Sequence, residues 1–244
     1  MCNHCRVTEA LQILVVCTAN ICRSPAAAAA LTAGLSPGLE VAVSVISAGT
    51  DAQADSPACE LSSALVATYP ARRSGGDAAP LDYSGHRSRR VSERDLADSD
   101  LILVLDRSHR SRLAQMSPGS RQRTFTLRQA AALARAVGAS VAAGALPAGA
   151  PSLPEGDVDR LRWFISELDA ARGLASAVAV AGNIQDRDVE GLEWHPDDVP
   201  DPHVVGYQVH PMAVELIEAG VSDLMAGLGE ILAAPITTRA PTSA

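Results

Sequence analysis

Near the N-terminus a thiol and a guanidinium stand with five residues between them: Cys17 and Arg23. Together they can attack and hold a tetrahedral oxyanion. Cys17 follows residues 11–16, a run rich in Leu, Ile and Val that reads as a buried strand. Ser24 reads as a helix N-cap and Pro25 as a first helical residue, ahead of an Ala-rich stretch of high helix propensity. Thr18, Ala19, Asn20, Ile21, Cys22, Arg23 and Ser24 then form the turn from strand to helix. Successive N–H groups in such a turn make a concave anion site, and the helix dipole adds positive potential. Arg23 adds a planar fork that fits two phosphate oxygens. A thiol at that mouth loses its proton easily, which gives a thiolate nucleophile beside a phosphate cradle.

Breaking a phosphate monoester this way needs a third part, an acid for the leaving oxygen. The loop contains none. Asp197, Asp198 and Asp201 all lie in a turn-rich segment far down the chain.

The segment Cys17-Thr18-Ala19-Asn20-Ile21-Cys22-Arg23-Ser24-Pro25 resembles the signature of the low-molecular-weight protein tyrosine phosphatase family. So do Ser47-Ala48-Gly49-Thr50, residues 85–118 and Asp201-Pro202-His203. The resemblance covers most of residues 11–136 and 197–232. It implies hydrolysis through a phosphocysteine, with Cys17 as nucleophile, Arg23 and the loop amides as phosphate holders, and Asp201 of the Asp-Pro pair as acid. Asp197 and Asp198 remain nearby competitors. His86 would sit behind the phosphate loop in a network with Asn20, Ser24 and Ser47; the plainer reading is a surface histidine. Ser24 would donate to the departing thiolate. Cys22 would form a reversible disulfide with Cys17, guarding it from over-oxidation; the alternative is a small buried apolar residue. The expected chemistry calls for no metal and no cofactor, because Arg23 and the amides neutralise the charge.

The chain departs from the family pattern at three places. Ala19 replaces a usual Gly. The aromatic residues that flank a phosphotyrosine ring are missing, with His203 and Val204 after Asp201-Pro202 and Asp51-Ala52 after Thr50. A glutamate often found after the signature proline is replaced within residues 26–30. The expected partner is a phosphorylated protein, phosphotyrosine first, or a small phosphate ester. Two other readings stay open. One is an arsenate reductase on the same fold; no cysteine follows Cys59, which disfavours a thioredoxin-coupled mechanism and leaves a small-thiol donor. The other is a non-enzymatic phosphate-binding module.

Composition sets the frame. With 244 residues and 47% hydrophobic content the chain can bury one sizeable core, and only 3% aromatic content leaves Leu, Val, Ile and Ala to fill it. A net charge of −8 argues against non-specific nucleic-acid binding. No apolar run reaches the roughly 18 residues of a membrane span, and the N-terminus lacks a signal-peptide layout, so a cytoplasmic protein is expected. Cys2, His4 and Cys5 have no second cluster to complete a metal site.

Strands are expected at residues 11–16, 41–46, 101–105 and 123–126, alternating with helices. That pattern predicts an α/β fold: three layers, a four-stranded parallel sheet in flavodoxin-like order flanked by helices, with a helical insertion. Active residues belong at the C-terminal strand ends. Residues 1–9 read as a disordered leader. Residues 10–232 read as one domain with an insertion at about 139–196, which starts with a low-complexity linker at 139–154 and continues as a helix at 157–181. A long helix is expected at 206–232 and a disordered tail at 233–244.

Overall fold

The computed structural model describes residues 11–35, 42–74, 79–146, 152–173 and 194–235. The leader, most of the expected tail and much of the insertion lie outside these residues. Four parallel strands, β1 (Leu11–Cys17), β2 (Val43–Gly49), β3 (Leu101–Val104) and β4 (Thr124–Thr126), form one sheet in the order β2-β1-β3-β4. The helices are α1 (Arg23–Leu35), α2 (Glu60–Ala67), α3 (Tyr69–Ser74), α4 (Glu93–Asp98), α5 (Arg107–Met116), α6 (Leu127–Ala142), α7 (Asp157–Ala170), α8 (Pro202–Val205) and α9 (His210–Ala233).

Side chains alternate across the central strands and so build two cores. Ile13, Val15, Leu101, Leu103 and Leu105 face one cluster, shared with Ala27 and Leu31 of α1, Leu133 of α6 and Ile217 of α9. Leu14, Val16, Ile102 and Val104 face the other, closed by Leu96 of α4 and Leu113 of α5. This is the three-layer architecture that the strand–helix alternation predicts.

Two glycines set how closely α6 and α9 approach. A Cβ on Gly227 would lie 2.2 Å from the Ala134 carbonyl oxygen, and one on Gly138 would lie 2.8 Å from the Gly227 Cα. No side chain fits at that crossing. From the insertion, α7 adds Leu161, Phe164 and Leu168 to the first cluster. Arg160 of α7, 5% exposed, donates to the carbonyls of Ile231, Leu232 and Ala234 and so satisfies the C-terminal end of α9.

Several expected boundaries move. Helix α1 starts at Arg23, so Ser24 is inside its first turn and is not its N-cap. Its hydroxyl faces the phosphate loop instead, as described below. Helix α6 runs on to Ala142 through the expected linker, because its alanines favour helix and Val141 is buried. Helix α7 ends at Ala170 and is followed by a single 3-10 turn at Ala171–Gly173. The long C-terminal helix begins at His210 rather than at 206. Gly206, at φ 140°, separates it from α8, and Pro211 is accepted only in a first turn.

Candidate active site

Cys17 closes β1, and the loop that follows wraps its own sulfur. The Asn20 N–H donates to Cys17 Sγ at 3.3 Å, and Ser24 Oγ lies 3.0 Å from the same sulfur. Asn20 is fully buried and in the left-handed region, at φ 56°, a conformation Asn tolerates better than most residues. Neighbouring segments hold the loop's carbonyls. Thr50 N–H donates to Cys17 O and Asp51 N–H to Thr18 O, each at 2.9 Å. Cys59 N–H donates to Ile21 O at 2.6 Å. His86 Nε2 bonds Asn20 O at 2.7 Å, and thereby acts as the donor. With these carbonyls engaged outward, the Asn20 N–H turns inward onto the Cys17 sulfur, the side from which a loop of this kind takes an anion. Gly49 is required beside this loop: a Cβ there would come within 2.4 Å of Thr18 O.

The network behind the loop joins the residues grouped by resemblance. Asn20 Nδ2 donates to Ser24 Oγ and to Ser47 Oγ, both at 2.9 Å, and Asn20 Oδ1 accepts from the Arg89 N–H at 3.0 Å. His86 reaches the same residue through its backbone carbonyl.

Arg23 is 3% exposed, and both terminal nitrogens of its guanidinium are engaged. One terminal nitrogen donates to Asp106 Oδ2 at 3.2 Å and to Val199 O at 3.0 Å; the other donates to Asp201 Oδ2 at 2.5 Å and to Thr18 Oγ1 at 3.3 Å. Asp201 also accepts the His203 N–H at 3.0 Å, which makes it the N-cap of α8. The three acidic candidates thus part company. Asp201 lies on Arg23. Asp198 accepts the backbone N–H of Arg107 at 2.8 Å and pairs with its side chain at 3.3 Å, serving the N-terminus of α5. Asp197 turns toward His195, 3.8 Å away.

Two further residues complete the cradle: Asp106, which the sequence marks as the cap of the helix beginning near Arg107, and His109, which nothing local singles out. Asp106 caps α5 by accepting the His109 N–H, and also braces Arg23. His109, buried, has its Nε2 2.9 Å from Thr18 Oγ1 and its Nδ1 3.1 Å from Asp106 Oδ2. Burial pushes the His109 ring down to about 4, against the opposing pull of Asp106. It is therefore neutral near pH 7. A proton on Nδ1 lets Thr18 donate to Nε2 while accepting from Arg23. Burial works to raise the Asp106 carboxyl, but His109, Ser108 and Arg23 outweigh it and hold it below the usual carboxylate range. The sequence signal for a role of Asp106 at the site is its position one residue beyond Leu105, at the C-terminal end of the central sheet.

Cys17, Cys22 and Cys59 are all free thiols. Cys22 Sγ lies 2.7 Å from Ser62 Oγ. Its burial pushes the thiol up to about 12.

A strand–loop–helix cradle on a parallel sheet, with a cysteine at its base, a buried arginine and a carboxyl at its rim, has the parts a phosphatase site needs. Comparison with known proteins agrees. Residues 12–136 match the family model described as low molecular weight phosphotyrosine protein phosphatase. A probable low molecular weight protein-tyrosine-phosphatase, EpsP, from Ralstonia nicotianae is 36% identical over 115 residues, covering 47% of this chain and 69% of that protein. A protein-arginine-phosphatase from Geobacillus stearothermophilus is 33% identical over 118 residues, 48% of this chain and 70% of that protein. In fold, the chain is similar to YfkJ from Bacillus subtilis, at a TM-score of 0.51 and 22% identity, covering 91% of this chain and 96% of that one. The chain belongs to the low molecular weight phosphotyrosine protein phosphatase family, and it is a phosphatase. Among the described residues, no helix is long and apolar enough to cross a membrane.

Proposed function

We propose that this chain hydrolyses phosphate monoesters through a phosphocysteine on Cys17, with tyrosine-phosphorylated protein as its substrate class. The observation that carries this reading is Arg23. Its guanidinium joins Thr18 of the phosphate loop to Asp201, which lies 178 residues after Arg23. Holder and acid are thus joined at the rim of the loop that wraps the Cys17 sulfur.

An incoming phosphate dianion takes the Arg23 fork and the loop amides, and displaces the Asp201 carboxylate. The Cys17 thiolate attacks phosphorus in line, forming the S–P bond as the P–O bond to the leaving group breaks. Once displaced from Arg23, the Asp201 carboxylate takes up a proton from solvent, and the carboxylic acid gives it to the leaving oxygen. The resulting carboxylate then takes a proton from water as the water attacks phosphorus. The S–P bond breaks, Ser24 donates its hydroxyl hydrogen toward the departing thiolate, and inorganic phosphate leaves. Asn20, Ser47 and His86 keep the loop in its anion-binding shape. Among the described residues, Tyr207, 66% exposed and edge-on to His203 at 5.7 Å between ring centroids, offers an aromatic face to the ring of a phosphotyrosine. No metal or cofactor enters these steps.

A second reading, phosphoarginine as substrate, is favoured by the similarity to the Geobacillus protein-arginine-phosphatase. The test is hydrolysis of p-nitrophenyl phosphate, a phosphotyrosine peptide and a phosphoarginine peptide by the wild type and by Cys17→Ser, run beside an arsenate-reduction assay with a small-thiol donor. The expected result is turnover of the first two, none by Cys17→Ser, and no arsenate reduction. Preferential turnover of the phosphoarginine peptide would replace the tyrosine reading, and arsenate reduction without phosphatase turnover would replace the hydrolase reading.

A further inference from the structure

Beside the Cys17 sulfur, and sharing only Cys22 with the phosphate loop, four side chains from distant parts of the chain converge. Cys22, Cys59, His203 and His210 each present one ligand atom, and these atoms all lie within 4.8 Å of one another. Cys22 comes from the phosphate loop, Cys59 immediately precedes α2, His203 lies in α8 and His210 opens α9. A tetrahedral ion with bonds of about 2.3 Å to sulfur and 2.0–2.1 Å to nitrogen needs ligand atoms roughly 3.3–3.8 Å apart. Cys59 Sγ and His210 Nε2 are already 3.4 Å apart. The remaining closure is modest: His203 is exposed, and its ring already stands edge-on to His210 at 5.3 Å between centroids.

The surroundings are prepared for ligation. The Tyr207 carbonyl lies 2.8 Å from His210 Nδ1, so that nitrogen carries the proton and the Nε2 lone pair points at the cluster. A histidine whose far nitrogen is anchored on a carbonyl is the arrangement that fixes a ligand's tautomer and raises its basicity. Tyr207 also stacks on the His210 ring, nearly parallel at 4° and 5.5 Å between centroids. On the sulfur side, Ser62 Oγ lies 2.7 Å from Cys22 Sγ and can donate to it as a thiolate. Cys22 and His210 are buried, while the exposed His203 leaves an entry path.

We propose that Cys22, Cys59, His203 and His210 form a Cys2His2 site for a divalent zinc-like cation. Two thiolates and two neutral imidazoles suit zinc by softness and geometry, and their negative charges balance its two positive ones. Four protein ligands leave no open position, so the ion is structural. It would staple the phosphate loop to the N-terminus of α2 and to the segment that carries Asp201. It would also commit the Cys22 sulfur, which could not bridge to Cys17 while ligated. The sequence hides this set, because the ligands are spread from 22 to 210 without a paired Cys-x-x-Cys motif.

The test uses the full-length chain, reduced and stripped by chelator, titrated with cobalt(II) and then zinc(II). The expected result is one equivalent of cobalt, with thiolate-to-cobalt charge-transfer and tetrahedral d–d bands that zinc abolishes, and a higher thermal midpoint with zinc. Cys59→Ser and His210→Ala should each weaken binding by at least about 100-fold. His203→Asn, at an exposed position, tests the same site if those variants fold poorly. Cys2→Ser/Cys5→Ser and Cys17→Ser should bind as the wild type does. Absence of the charge-transfer band, equal binding by every folded ligand variant, or loss of binding in Cys17→Ser or Cys2→Ser/Cys5→Ser would overturn the proposal.

Discussion

The ion pair between Asp201 and Arg23 gives Asp201→Asn two opposite effects. In the free protein the carboxylate lies 2.5 Å from a buried guanidinium, on the donors an oxyanion must use. Two unit charges 4 Å apart attract by about 4 kcal/mol at an effective dielectric constant of 20. Most of that is offset: Asp201 is about one-fifth exposed, and Arg23 keeps Asp106, Val199 and Thr18 as partners. A net competition of about 1–1.5 kcal/mol remains, so the neutral amide should tighten phosphate or vanadate binding by roughly 10-fold. Catalysis moves the other way. Loss of a general acid costs about 10²–10⁴ in kcat/KM. The cost should grow with the basicity of the leaving group, small for p-nitrophenyl phosphate and large for phenyl phosphate. The assay is kcat/KM for both esters, with oxyanion inhibition constants, on wild type and Asp201→Asn. Equal losses on the two esters would refute Asp201 as the acid. Unchanged oxyanion affinity would refute the competition.

Four other outcomes follow from the packing and the titrations. His109 is neutral in the fold down to about pH 4 while the unfolded chain protonates near 6.5, so stability is full above pH 6.5 and falls by up to about 3 kcal/mol as the pH drops to 4; denaturant midpoints across that window should decline less steeply in His109→Gln. Asn20→Gly keeps the φ 56° loop available but removes three side-chain hydrogen bonds, whereas Asn20→Ala also strains the backbone; kcat/KM should fall in both and further in the alanine variant. Arg160→Met leaves the carbonyls at the end of α9 without a charged donor and should cost about 2–4 kcal/mol by chemical denaturation. Gly227→Ala forces α6 and α9 apart at the Ala134 carbonyl and should cost about 2–3 kcal/mol by the same measurement, with Gly229→Ala, which meets nothing, as the control.

The sequence by itself determined the elements and the centre of the chemistry. A strand that alternates Ile13 and Val15 with Leu14 and Val16 must be covered on both faces, so the three-layer sheet was readable from local pattern alone. The Cys17 to Arg23 spacing and the strand before it placed a cradle at a strand's C-terminal end, because loop amides and a helix terminus are local features. Tertiary structure decided what surrounds that cradle. Ser24 reads locally as a cap, yet the helix begins one residue earlier and its hydroxyl serves the Cys17 sulfur and Asn20. The Asp-Pro pair singles out Asp201 only through the family resemblance; in space the three part because α5 takes Asp198, His195 faces Asp197, and Arg23 takes Asp201. The brace from Asp106 to Arg23, the contact of His109 with Thr18 and the Cys22, Cys59, His203 and His210 cluster have no local signature either, since the partners lie on other elements. Hydrophobic period and turn chemistry are written over neighbouring residues, whereas the pairing of buried polar groups is fixed only when the sheet brings remote segments to one edge.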